Sequence, residues 1–147
     1  MIKKKRGNLL NASKGIIVHG CNAQRVFNSG LAKQIRLKYP EVYASYMKIE
    51  EIICGEIYPV IIDDNLIIVN MITQKYYGND GRKYVNYDNM NVAFTKLNKY
   101  IQRTHVSHIL NFPKIGCGLG GGDWRIISEI IDCRIADNIT KNLWISK

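Results

Sequence analysis

The chain has 147 residues, 46% hydrophobic and 22% charged, which fits one domain with a sizeable core. Its 21 basic and 12 acidic residues give a net charge of +9, so the surface is either simply solvated or meets an anionic partner, nucleic acid or a phosphorylated small molecule. No apolar stretch is long enough to span a bilayer, and the basic start MIKKKRGNLL leads into no signal-peptide core, so a cytoplasmic chain without membrane contact is expected.

Taken in chain order, Lys3–Arg6 is the only basic run, and the other lysines are scattered. "GIIVHG" (15–20) reads as a buried strand. "SGLAKQIRLKYP" (29–40) has helical spacing, with Ser29 as a possible N-cap and Pro40 as the stop. "PEVYASYMKIE" (40–50) reads as a second helix opened by proline. "GEIYPVII" (55–62) and "NLIIVNMIT" (65–73) flank Asp63-Asp64-Asn65, a turn signal, and predict a hairpin. Residues 85–103 carry a helical stripe at 90, 94, 97 and 101. A strand over 106–113, a helix over 123–137 capped by Asp123, and a closing strand over 141–146 complete the chain. Strands mostly alternate with helices, which predicts an α/β sandwich with a mixed sheet. In such sheets ligands bind beyond the carboxyl ends of strands, here the loops 19–30 and 113–122.

The second loop, inside "FPKIGCGLGGGDW" (112–124), holds five glycines between an apolar strand and an apolar helix. Glycine loses the most backbone freedom on folding, so a fixed glycine loop needs a reason. One reason is close approach of backbone N–H groups to a phosphate at a helix N-terminus; the alternative is a flexible turn. No Gly-Lys-Ser/Thr follows, so the loop is not a Walker loop. Cys21, Cys54, Cys117 and Cys133 form no CxxC and read as free thiols. Cysteine nucleophiles at Cys21 or Cys117 compete with plain packing, and His105 and His108 share no visible partner. No His/Cys/Asp/Glu cluster has metal-ligand spacing, so neither metal nor cofactor is expected.

"GNLL", "IVHGCNAQ", "SGLAKQIRLKYP" and "PKIGCGLGGGDW" stand in the order and spacing of a macrodomain. The sequence most resembles the fungal-type ADP-ribose 1″-phosphate phosphatases, over nearly its whole length. The resemblance implies a single macrodomain over 1–147, with three α/β/α layers and a mixed, mostly parallel sheet. It implies a partner, ADP-ribose or ADP-ribose 1″-phosphate, or an ADP-ribosylated macromolecule, bound by a monomer. Asn8 matches the adenine contact, and Asn22 the contact to the distal ribose, unless it is a turn residue. The implied binding set is Asn8, Leu9, Cys21, Asn22, Ser29, Gly30, Leu31, Ile115, Gly116, Cys117, Gly118, Leu119, Gly120 and Gly121. Arg25, Phe27 and Asn28 are bulkier than the glycines the family often has there.

His19 and Asp123 match the positions with catalytic roles in the phosphatase branch. Monoester hydrolysis needs an oriented water or nucleophile, a proton donor for the leaving oxygen, and donors for charged oxygens. The alternatives are a structural histidine and an ordinary N-cap. Other macrodomains remove ADP-ribose from glutamate through a lysine and an aspartate. At those positions this chain has Gln74 and Gly120, and Lys75 steps to the opposite side of the strand, which disfavours the lysine route. A hydrolase acting on ADP-ribosylated protein or nucleic acid and a non-catalytic binding module remain as alternatives.

Overall fold

The computed structural model describes residues 1–28, 30–78, 80–118 and 120–146. Its strands are β1 (Ile2–Arg6), β2 (Gly15–Asn22), β3 (Ile57–Ile61), β4 (Leu66–Gln74), β5 (Ile109–Phe112) and β6 (Thr140–Ile145). Its helices are α1 (Gly30–Lys38), α2 (Pro40–Met47), α3 (Tyr87–Arg103) and α4 (Trp124–Arg134), with a 3-10 turn over Leu9–Asn11. The strands form one sheet in the order β1-β6-β5-β2-β4-β3. Among the described strands only β3 runs antiparallel to its neighbour, as the first arm of the expected hairpin with β4.

Strand alternation divides the core. Ile16 and Val18 of β2 pack with Phe94 and Leu97 of α3 and Ile127 and Ile131 of α4. Ile17 and Cys21 face the other way, onto Phe27, Ile35 of α1, and Val42 and Tyr46 of α2. The result is the expected three-layer α/β/α arrangement with a mixed, mostly parallel sheet. α3 shows why its segment is helical. Met90, Ala93, Phe94, Leu97 and Ile101 recur on one face and are fully buried, and each large side chain contributes about 1.5–3 kcal/mol. Asn86 caps it by accepting from the Asn89 amide at 3.0 Å.

β1 has no counterpart in the sequence reading. The run Lys3–Arg6 is exposed, lacks apolar alternation, and is a strand because it pairs with β6 at the sheet's edge. Lysines on an edge strand also discourage pairing with another chain. Some elements are shorter than their patterns: α4 ends at Arg134 because Ile135 turns extended, with φ −95° and ψ 123°. Among the described residues, no helix is long and apolar enough to cross a membrane.

Five strands run parallel, so their carboxyl ends share one edge of the sheet. The segments leaving Arg6, Asn22, Gln74, Phe112 and Ile145 all start there.

Candidate functional site

Over the carboxyl ends of β5, β2 and β4 lies a cleft of about 300 Å³. It is lined by His19–Asn22, Val26, Asn28, Gly30–Ala32, Thr73, Gln74, Tyr77, Pro113–Gly116, Gly118 and Gly120. Lys114 is the only lysine or arginine among these described lining residues, and none is a carboxylate. Beside it, over the ends of β1 and β6, a second groove is lined by Arg6, Gly7, Asn8, Asn11, Gln34, Trp144 and Ser146. α1 borders both, through Gly30–Ala32 on one side and Gln34 on the other.

The glycine loop is shaped by a segment distant in sequence. The Tyr84 and Val85 amides donate to the Gly120 carbonyl at 2.7 and 3.1 Å. A Cβ on Gly121, whose φ is +71°, would lie 2.5 Å from the Arg82 carbonyl oxygen. A Cβ on Gly120 would lie 2.7 Å from the Gly116 oxygen. These glycines let the loop press against residues 82–85. Gly118 is different, because a Cβ there would meet open space.

The first loop is held from below. A β-bulge between Cys21 and Asn22 ends β2, and bulges re-aim side chains at such strand ends. Asn22 Oδ1 accepts from the Gln24 amide at 2.8 Å, and its Nδ2 donates to the Val26 carbonyl at 3.0 Å. Asn22 thus closes its own turn and keeps one amide hydrogen for a ligand. Arg25 sits at φ +65°, which is uncommon for a residue with a side chain. Its guanidinium donates to the carbonyls of Tyr46 (3.3 Å), Met47 (3.1 Å), Glu50 (3.1 Å) and Ile49, around the C-terminus of α2. Phe27 is buried and stacks on Tyr46 at 4.6 Å. The bulk of Arg25 and Phe27 therefore anchors the loop to α2.

His19 forms part of the cleft floor but is itself buried. Its Nε2 lies 2.6 Å from Asn70 Oδ1, and its ring meets Phe27 edge-on at 5.2 Å. Burial lowers its pKa to about 4, against the opposing effect of the Asn70 hydrogen bond, so the ring is neutral at pH 7. Asp123 caps α4, accepting from the Arg125 amide at 2.9 Å. Its carboxylate also pairs with the Arg125 guanidinium at 3.0 Å, and these bonds hold its pKa below the usual carboxylate value. It lines a groove along α4 with Arg125, Glu129 and Cys133 rather than the cleft. His19 and Asp123 share no cavity among those described. The reason is local: the first turn of α4 and Arg125 take up the Asp123 oxygens.

Of the other sequence candidates, Cys21, Asn22, Gly30, Leu31, Ile115, Gly116, Gly118 and Gly120 line the cleft. Asn8 lines the neighbouring groove, where its side chain accepts from the Leu10 amide at 2.9 Å. Leu9 is buried in the core. Cys117 and Gly121 belong to the loop without lining the cleft, and Ser29 and Leu119 lie outside the described residues. Burial pushes the Cys21 thiol well up and raises Cys117 too, which suits packing rather than nucleophilic attack. Among the described residues no group of three metal-binding side chains occurs. Gln74 lines the cleft while Lys75 faces the adjoining surface. Thr73, Tyr77 and Lys114 are lining residues that the sequence reading did not single out.

No family model matches the chain. The macrodomain of Thermus aquaticus DarG superposes with a TM-score of 0.81 at 23% identity, covering 100% of this chain and 98% of that one. The fold is that of a macrodomain. Curated relatives align with this chain in sequence at low identity. A Mycobacterium bovis DNA ADP-ribosyl glycohydrolase is 26% identical over 136 residues, 88% of this chain. This chain spans only 37% of that protein's length. A Candida glabrata ADP-ribose 1″-phosphate phosphatase is 26% identical over 158 residues, covering 86% of this chain and 88% of that protein.

Proposed function

We propose that this macrodomain binds ADP-ribose along the carboxyl edge of its sheet and hydrolyses the bond joining the distal ribose to a macromolecule. The supporting observation is the composition of the cleft: a glycine loop, one lysine and no carboxylate among its described lining residues. Such a surface suits a diphosphate, and the N-terminus of α1 adds partial positive charge there. The adenine fits the groove beside Asn8, whose second carbonyl lone pair can accept from an adenine amino group. The distal ribose then lies near Asn22 and Gly118.

The two aligned proteins are named for substrates that carry a group on the same ribose carbon. One removes ADP-ribosyl from DNA, the other removes a phosphate carried on the anomeric carbon. In the glycosyl reaction, water attacks that carbon, the bond to the acceptor breaks, and the water's proton ends on the departing group. The diphosphate is held by loop amides and the Lys114 ammonium, which orients the ribose for attack. This reading is favoured over monoester hydrolysis because His19 is buried and neutral and Asp123 is engaged as a cap. A phosphatase acting on ADP-ribose 1″-phosphate is the second reading. It is favoured by the alignment that covers nearly all of both chains.

The test is a panel of ADP-ribosylated single-stranded DNA, ADP-ribosylated protein and ADP-ribose 1″-phosphate, with released ADP-ribose and phosphate measured. ADP-ribose freed from a macromolecule supports the first reading. Phosphate release alone supports the second. No product from any substrate leaves a binding module.

A further inference from the structure

We infer that the exposed basic and aromatic surface at the lip of the cleft, carried by Lys75, Tyr76, Arg82 and Lys83, holds the single-stranded nucleic acid to which the ADP-ribosyl group is attached; this rests on the hydrolase reading of the cleft. The chain leaves the cleft wall at Gln74, and Tyr77 returns to it. Between them, Lys75 and Tyr76 turn outward into a separate hollow of about 490 Å³, also lined by Arg82, Lys83 and Tyr84. A substrate whose distal ribose sits in the cleft would therefore pass its attached chain directly over this hollow.

The chemistry of the hollow selects the partner. Tyr76 is 57% exposed and Tyr77 54%, so two adjacent aromatic side chains stand open to solvent beside the cleft. Lys75 Nζ stands 5.4 Å from the Tyr76 ring centre, and Lys83 Nζ 4.6 Å from that of Tyr87. Ammonium groups and aromatic faces are thus presented together, the pairing that serves phosphates and unstacked bases. Asp80 is the only acid between residues 75 and 87, and it is taken by Arg82 at 2.8 Å and the Tyr84 hydroxyl at 2.7 Å. Lys75 and Lys83 pair with no carboxylate among the described residues. A duplex hides its base faces and could use only the charge, so a single strand is favoured. The surface is also fixed relative to the cleft, because Tyr84 and Val85 bond to Gly120 of the glycine loop.

The experiment is fluorescence anisotropy with short unmodified single-stranded DNA, single-stranded RNA and duplex DNA over a series of salt concentrations, beside ADP-ribose calorimetry. Lys75→Ala/Lys83→Ala should flatten the log–log salt slope by roughly 1.4, about 0.7 per lost phosphate contact. Tyr76→Ala should weaken single-strand binding about tenfold. Both variants should bind free ADP-ribose as the parent does, since none of these residues lines the cleft. The control is Lys3→Ala/Lys4→Ala, an equal charge change on β1 at the opposite end of the sheet from β4, which should leave strand binding nearly intact. Equal losses in the control, duplex binding as tight as single-strand binding, or unchanged binding by the Tyr76 and lysine variants would each overturn the inference. Preference between DNA and RNA identifies the strand's sugar. If ADP-ribose fails to bind the parent protein, the hydrolase reading of the cleft fails first, and strand binding is then judged by itself.

Discussion

Acidification should expose His19 as a buried neutral histidine. In the folded chain its pKa is about 4, against 6.5 for the free side chain. Between those values the unfolded chain takes up a proton that the folded chain refuses. Stability from this residue is therefore complete above about pH 6.5 and is lost as pH falls towards 4. The full gap corresponds to roughly 3 kcal/mol, a large part of the 5–15 kcal/mol that holds a typical domain. Urea unfolding, followed by fluorescence of the two tryptophans, measures it at steps between neutral pH and about pH 4.5. His19→Gln is the comparison, since glutamine is uncharged throughout and can still bond Asn70. Every other ionisable group is common to both proteins, so its contribution cancels in the difference. The parent should lose roughly 2–3 kcal/mol more than the variant over this range. Parallel pH curves would refute the buried-neutral assignment and restore His19 as a group free to take a proton in the cleft.

Other outcomes follow from the loops around the cleft. Gly121→Ala should fold with a displaced glycine loop and bind ADP-ribose at least about tenfold more weakly in calorimetry, whereas Gly118→Ala should melt like the parent. Arg25→Ala removes the clamp on the α2 carbonyls and should weaken ADP-ribose binding several-fold while thermal unfolding of the rest stays cooperative. Asp123→Asn should leave both melting temperature and turnover close to the parent because asparagine still caps, while Asp123→Ala should lower the melting temperature by a few degrees with turnover retained. Loss of turnover in Asp123→Asn with ADP-ribose binding intact would return Asp123 to catalysis.

The sequence displayed the architecture where local pattern and tertiary role agree. The apolar stripe of α3 and the Asp63–Asn65 turn each state their structure within a few residues. β1 could not be read in this way, because "KKKR" has no apolar face and becomes a strand only through β6. The site divides along the same line. Its two loops were visible as glycine-bearing segments at strand ends. Why Gly120 and Gly121 are glycines was not visible, since the backbone they meet lies near residue 82. Arg25 looked like bulk in a phosphate loop, and only the position of α2 shows that it points away. For Asp123, capping and catalysis predict the same residue at the same place; in the structure it caps α4, pairs with the neighbouring Arg125 and lines the α4 groove.

The account stands on the cleft binding ADP-ribose through both halves of the molecule. Isothermal calorimetry with ADP-ribose and with AMP tests this directly. The expected result is one site that binds ADP-ribose at least about tenfold more tightly than AMP, because the glycine loop and Asn22 engage the diphosphate and distal ribose. Equal affinity for the two ligands, or no heat with ADP-ribose, would contradict it.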